Sequence, residues 1–186
     1  MNSKLSIINS ALSRMGERPL NNIDQETTTA ISMRNVYDQA RAYVLRLHPW
    51  SCARKRQQVS PITTRPSFGY ANAFPIPSDC VRIISVGTKE WEVEGRYILA
   101  NADVLELVYI WNSDREQEWD SALAEALTLH LTSEMCKTIT GSSASGEVAA
   151  VKLREVIQQA KTINGMERPS QNISNDYVSE LIWSRG

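Results

Sequence analysis

The sequence predicts an α+β fold: a bundle of about four helices with a small antiparallel β-sheet inserted between helices 2 and 3, plus an extended C-terminal arm. Three observations carry this expectation. Apolar residues recur at steps of three and four before Pro49 and again after Ser113, the spacing of helix faces. Between those points the pattern changes to strands and turns, as in Val81-Arg82-Ile83-Ile84-Ser85-Val86 and in Trp91-Glu92-Val93 ahead of Glu94-Gly95. After Gly165 a polar, proline-containing stretch leads to a short apolar cluster at the end of the chain. The chain thus divides into an N-terminal helical hairpin (1–49), an inserted β-region (50–112), the C-terminal helices of the bundle (113–165) and an arm (166–186).

The first helix starts at Ser3, a residue type that caps free N–H groups, and carries Leu5, Ile8, Leu12 and Met15 on one face. Gly16 and Pro19 stop it, because glycine suits the left-handed position after a helix and proline cannot continue one. Asp24 is read as the cap of a longer helix with Ala30, Met33, Tyr37, Ala40, Val44 and Leu47 along its stripe. His48-Pro49 ends that helix, since proline pushes the residue before it out of helical geometry.

Trp50 to Val59 is expected to be a strand, and residues 60–78 a loop punctuated by Pro61, Pro66, Pro75 and Pro77. Four more strands follow at 81–86, 91–93, 97–100 and 104–111, in the order of a meander. The last of them, Val104 to Trp111, is mostly apolar and is placed centrally or under the helices. Ser113 and Glu116 have the spacing of a capping box, which predicts that they open the third helix, with Trp119, Leu123, Leu127, Leu131 and Met135 on its face. A fourth helix runs from about Ala144 to Gly165, with Ala149, Leu153, Val156, Ile157, Ala160 and Ile163 as its stripe.

Composition narrows the function. With 20 basic and 21 acidic side chains the net charge is −1, so the chain lacks the global positive balance of a protein whose main task is to hold phosphates. The three cysteines, Cys52, Cys80 and Cys136, are widely separated and match neither a disulfide framework nor a zinc site, which points to a reducing compartment. No signal peptide and no apolar run of transmembrane length is read, so the expectation is a soluble, cytoplasmically made protein without a membrane partner.

The sequence offers little chemistry. His48 and His130, the only histidines, have no ligand partner at helical spacing and read as packed or surface residues. Cys80 lacks a nearby base to hold it as a thiolate. Glu90, Glu92 and Glu94 alternate like a solvated strand face, and Gly141-Ser142-Ser143 lacks the lysine of a phosphate loop. No catalytic residue, metal or cofactor is assigned. Two features stand as candidate contact sites. One is the basic run Arg54-Lys55-Arg56, which either touches DNA or a partner, or serves as a charged edge that discourages strand pairing. The other is Tyr177, Val178, Leu181, Ile182 and Trp183, beyond a polar spacer.

The order of these elements resembles the tail tubular protein A group of short-tailed phages, the head-to-tail adaptors or connectors. The matching stretches are Ile8-Asn9-Ser10-Ala11-Leu12-Ser13-Arg14-Met15-Gly16-Glu17-Arg18-Pro19-Leu20 and the alanine- and arginine-rich helix ending His48-Pro49-Trp50-Ser51. They continue with Phe74-Pro75-Ile76-Pro77-Ser78-Asp79-Cys80-Val81-Arg82, Trp91-Glu92-Val93-Glu94-Gly95-Arg96 and Ala122-Leu123-Ala124-Glu125-Ala126-Leu127. The resemblance covers about residues 5 to 165. It implies a non-enzymatic virion protein of the tail, assembled in the bacterial host cytoplasm. Such proteins form a homo-oligomeric ring, usually a dodecamer, between the portal protein above and the tail nozzle (tubular protein B type) below. Double-stranded DNA passes through the channel. The family's C-terminal segment commonly reaches the portal, and the apolar end of this chain would be the docking group. The competing reading is a nucleic-acid-binding accessory protein that uses Arg54, Lys55 and Arg56.

Overall fold

The computed structural model describes residues 2–166. The expected cluster Tyr177, Val178, Leu181, Ile182 and Trp183, with the rest of the arm beyond Met166, lies outside the described residues. Four helices, α1 (Lys4–Met15), α2 (Thr28–Leu47), α3 (Ser121–Thr140) and α4 (Ala144–Met166), bracket six strands. The strands are β1 (Arg54–Val59), β2 (Asn72–Pro75), β3 (Cys80–Ser85), β4 (Trp91–Glu94), β5 (Tyr97–Ala100) and β6 (Leu105–Trp111). The fold is α+β, with its β-region between the second and third helices.

The first helix starts and stops where its sequence says. Ser3 and Ser6 exchange side-chain and backbone hydrogen bonds in a capping box, and Gly16 takes the left-handed conformation at φ 80°. The linker after it is clasped back onto the helix. Asn9 donates from Nδ2 to the Leu20 carbonyl at 2.9 Å and accepts from the Leu20 N–H at 2.8 Å.

The second helix is capped by Thr27, whose hydroxyl accepts from the Ala30 N–H, not by Asp24. Asp24 lies in a turn, with its own N–H held by the Asn22 side chain and its carboxylate 3.8 Å from Arg34. The helix ends at His48 in extended geometry, as proline at the next position requires.

The third helix departs furthest from its local pattern. Ser113 and Glu116 do not cap it. A 3₁₀ turn over Glu116–Glu118 intervenes, and Asp120 accepts from the Leu123 N–H at 2.7 Å to cap α3. Both polar residues face inward, to buried partners. Ser113 accepts from Trp119 Nε1 at 3.2 Å, and Glu116 accepts from the Tyr37 hydroxyl at 3.0 Å. A local capping pattern is worth about 1 kcal/mol, less than the cost of leaving a buried indole N–H or phenol unpaired, about 1–3 kcal/mol each.

α3 is the bundle's axis. It packs against α4, α1 and α2, and ten of its residues are buried, Leu123, Leu127, Leu131 and Met135 among them. The hydroxyls of Thr128 and Thr132, also buried, donate to carbonyls one turn back at 2.9 and 2.8 Å, so neither polar group is left unpaired in the core. α4 lies closest. A Cβ placed on Gly146 would sit 3.1 Å from Cys136 Cβ and 3.2 Å from the Ser133 carbonyl, so only glycine lets the helices approach there without displacement. α4 continues through Gly165 to Met166 instead of stopping at the glycine.

The strands divide between two three-stranded antiparallel sheets instead of forming one meander: β1-β6-β3 and β2-β5-β4. The predicted strand at Trp50 opens as a 3₁₀ turn, Ser51–Ala53, and becomes extended only at Arg54. β2 lies inside the stretch expected to be loop. It is an edge strand, where Pro75, lacking an N–H, is tolerated opposite Tyr97.

β6 is central, as its apolar sequence implied. Alternate residues point to two cores. Ile110 joins the helical core of Leu12, Met33, Tyr37, Trp50 and Leu127, while Leu105, Leu107 and Tyr109 face Phe74, Ile98 and Ala100 of the second sheet. The sheet β1-β6-β3 is therefore the middle layer, with helices on one face and a small sheet on the other. It is anchored to α2 by reciprocal bonds: Arg46 donates to the Val81 carbonyl at 2.8 Å and Arg82 to the Arg46 carbonyl at 3.1 Å.

Replacing Tyr37 by Phe leaves the Glu116 carboxylate buried without that donor. The expected loss is about 1–3 kcal/mol of stability, measured as a lower urea midpoint at unchanged slope. Leu127→Ala, at the fully buried centre of α3, is expected to cost about 2–5 kcal/mol in the same titration.

Candidate functional site

The basic run lies on β1, an edge strand, and the strand's alternation separates its charges. Arg54 and Arg56 share the face that bears Ile110 and Val108 of β6, whereas Lys55 shares the face of Tyr109. The three residues do not form one patch. Arg54 is half-buried and donates from Nη2 to the Pro49 carbonyl at 3.4 Å. Arg56 is exposed beside Gln58, Ser85 and Glu106, along a polar groove of about 410 Å³.

Lys55 is the most constrained of the three. Its Nζ stands 2.6 Å from Asp79 Oδ2 and 3.9 Å from the centroid of the Trp111 ring. Tyr109 donates its hydroxyl to Asp79 Oδ1 at 3.1 Å and lies 3.4 Å from Gln57 Oε1. Arg115 reaches the Trp111 ring at 5.7 Å. Burial alone would raise the Asp79 carboxyl, but the hydrogen bonds from Lys55 and Tyr109 and the lysine charge outweigh it and hold the pKa below the ordinary carboxylate value. Burial, the bond to Asp79 and its negative charge push Tyr109 up to about 12. The arrangement is a latch between β1, the turn before β3, and β6. Lys55 is neutralised by it, so only Arg56 of the run is freely presented.

Asp79 stands out in the sequence only as part of the stretch from Phe74 to Arg82. Its pairing with Lys55 depends on strand register, and no fixed spacing announces it. Both thiols near acidic groups are pushed up. Burial moves Cys52 to about 11, with the Asp120 carboxylate 3.6 Å away adding to the rise, and burial likewise raises Cys80. These shifts run against thiolate chemistry. Glu92 and Glu94 are exposed on β4, as a solvated face requires.

The histidines are packed. His48 is buried edge-on against Trp50 at 4.7 Å, and His130 stacks on Tyr43 at 4.6 Å. Burial is the main cause lowering the pKa of both. Trp50 and Trp119 are core residues, whereas Trp111 is half-buried in the latch and Trp91 is exposed.

Among the described residues, large apolar side chains are exposed in three regions, one of them α2, which presents Ile31 and Tyr43. In the β-region they are Phe68, Trp91, Val93, Tyr97 and Val104; on α4 they are Val148, Val151 and Ile163. No helix among the described residues is long and apolar enough to cross a membrane. No protein-family model and no curated protein matches this chain.

Two outcomes test these assignments. Lys55→Met removes a donor and a positive charge from Asp79, so the Asp79 pKa is expected to rise, read by carboxyl chemical shift in an NMR titration. Because the wild-type value lies below the unfolded one, the pair's contribution is present above about pH 4 and is lost as pH falls through the folded value. For the histidines the sign is the same, but the cause is burial that disfavours the charged imidazolium. Their folded pKa lies below about 6.5, so the unfolded chain takes up protons first and stability falls as pH drops below that value. His48→Gln is expected to flatten part of this slope in urea midpoints measured between pH 7 and 5.

Proposed function

We propose that this chain is a structural virion protein, the head-to-tail adaptor of a short-tailed phage. Copies of it form a homo-oligomeric ring, of dodecameric type, beneath the portal protein. The ring extends the DNA channel and receives the tail nozzle. It is assembled in the host cytoplasm and ends in the virion tail, and it performs no catalysis.

The observation that carries this reading is that the ordered motifs of the resemblance coincide with the joints of the fold. Asn9 and Leu20, at either end of the first motif, clasp the linker to α1. His48-Pro49-Trp50 turns the chain from the bundle into the β-region, with Trp50 Nε1 bonded to the Val44 carbonyl at 3.0 Å. Asp79 holds the latch, and Glu94-Gly95 makes the turn of the outer hairpin. Residues Ala122 to Leu127 form the first turns of the axial helix.

Two further features suit the role. A head-to-tail ring needs different surfaces on each subunit, and apolar side chains are exposed on separate elements, the β-region, α2 and α4. A net charge of −1 suits a channel that DNA must cross without being held. The alternative, a nucleic-acid-binding module, draws on Lys55, which is already paired with Asp79.

The test is assembly on a purified portal. Full-length protein is expected to sediment alone as a monomer or small oligomer at micromolar concentration and to form a ring on the portal, where the template raises the effective concentration of weak neighbour contacts. A chain ending at Met166 is expected to keep its helical circular dichroism and to lose portal assembly, because it lacks Tyr177, Val178, Leu181, Ile182 and Trp183. Equal assembly of the two chains refutes the docking role of the segment. Absence of any portal-dependent assembly refutes the adaptor reading.

A further inference from the structure

A groove of about 460 Å³ runs along α4 where it meets α2 and α3. Its walls include Tyr43, Leu47, Leu153 and Ile157, with Arg154 and Lys161 along the α4 side and Glu134 on the α3 side. Tyr43 is 50% exposed although its ring stacks on His130. Leu47, Leu153 and Ile157 are only half-buried. A groove of mixed apolar and charged lining with an exposed aromatic rim suits an amphipathic segment.

We infer that the groove seats the C-terminal segment of the same chain, Tyr177 to Ile182, while the subunit is free. Three observations select this occupant. The first is reach. Lys161 and Leu153 lie about 8 and 20 Å back along α4 from Met166 at 1.5 Å per residue, and the polar stretch 167–176 can span up to about 33 Å. Covalent attachment then gives the segment an effective concentration in the millimolar range, above that of any separate chain.

The second is pattern. Tyr177 and Leu181, and Val178 and Ile182, are pairs four residues apart, the spacing that groups side chains on one face against a groove. The third is charge. Asp176 and Glu180 are also four apart in the sequence, and the groove offers two cations, Arg154 and Lys161, against one acid, Glu134. The seat hides the apolar end of the chain until a stronger site competes for it. This goes beyond the adaptor reading and does not depend on it.

The experiment uses the free full-length protein with no portal present. Benzoylphenylalanine in place of Leu181 is photoactivated, and the crosslinked peptides are mapped by mass spectrometry. The expected product joins position 181 to residues 150–161 or Tyr43 of the same chain. Crosslinks that map elsewhere, that join two chains, or that do not exceed those of the same probe at Asn172, overturn the inference. Reversing the exposed charges Arg154→Glu and Lys161→Glu is expected to lower the yield roughly tenfold, the effect of about 1.4 kcal/mol. Adding Asp176→Lys and Glu180→Lys is expected to restore it. An unchanged yield in the first variant, or no recovery in the second, also overturns it. Because no portal is involved, failure here leaves the adaptor reading standing, and failure of portal assembly leaves this result untouched.

Discussion

The two-sided burial of β6 is the constraint on which the rest of the molecule depends. A strand with Ile110 in one core and Leu105, Leu107 and Tyr109 in another must be covered on both faces. The helices cover one face and the sheet β2-β5-β4 covers the other. That requirement explains why a modest insertion contains two sheets. A single solvent-backed meander would leave the alternate residues of β6 in water, at about 25 cal/mol for each Å² of apolar surface left exposed. It also explains the placement of the latch. Lys55, Asp79 and Tyr109 meet where β1 and the turn before β3 flank β6, and they close the rim between the two cores.

Polar side chains in this protein mainly join elements that are far apart in sequence. Glu116 receives the Tyr37 hydroxyl across the bundle, Arg41 reaches Asn112 at 3.1 Å, and Arg46 and Arg82 cross-link α2 to β3. Each contact fixes one layer against the next, and each is hydrogen-bonded, so burial carries little penalty. The exposed apolar residues lie on the β4–β5 hairpin, at Phe68 and Val104, on α2 at Ile31 and Tyr43, and along α4. The Arg54-Lys55-Arg56 run contributes to the body more than to the surface, because Lys55 is spent on the latch.

Much of this architecture was legible in the amino-acid sequence. Helical periodicity located the four helices, Ser3, Gly16 and Pro49 set boundaries by local backbone physics, and the mostly apolar run from Val104 to Trp111 pointed to a strand lying centrally or under the helices, which is β6 from Leu105 on. These features depend on residues within a few positions of one another, so the sequence by itself determined them. Tertiary structure decided the rest. Ser113 and Glu116 have the spacing of a capping box, yet their side chains are claimed by Trp119 and Tyr37, and the buried donors outweigh the local cap. Asn72 to Pro75 reads as loop until β5 supplies a partner for its backbone. Lys55 reads as an exposed charge until strand register brings Tyr109 and Asp79 to it. In each case the deciding energy comes from a group more than fifteen residues away or from the burial of both partners, and no local pattern encodes such a partner.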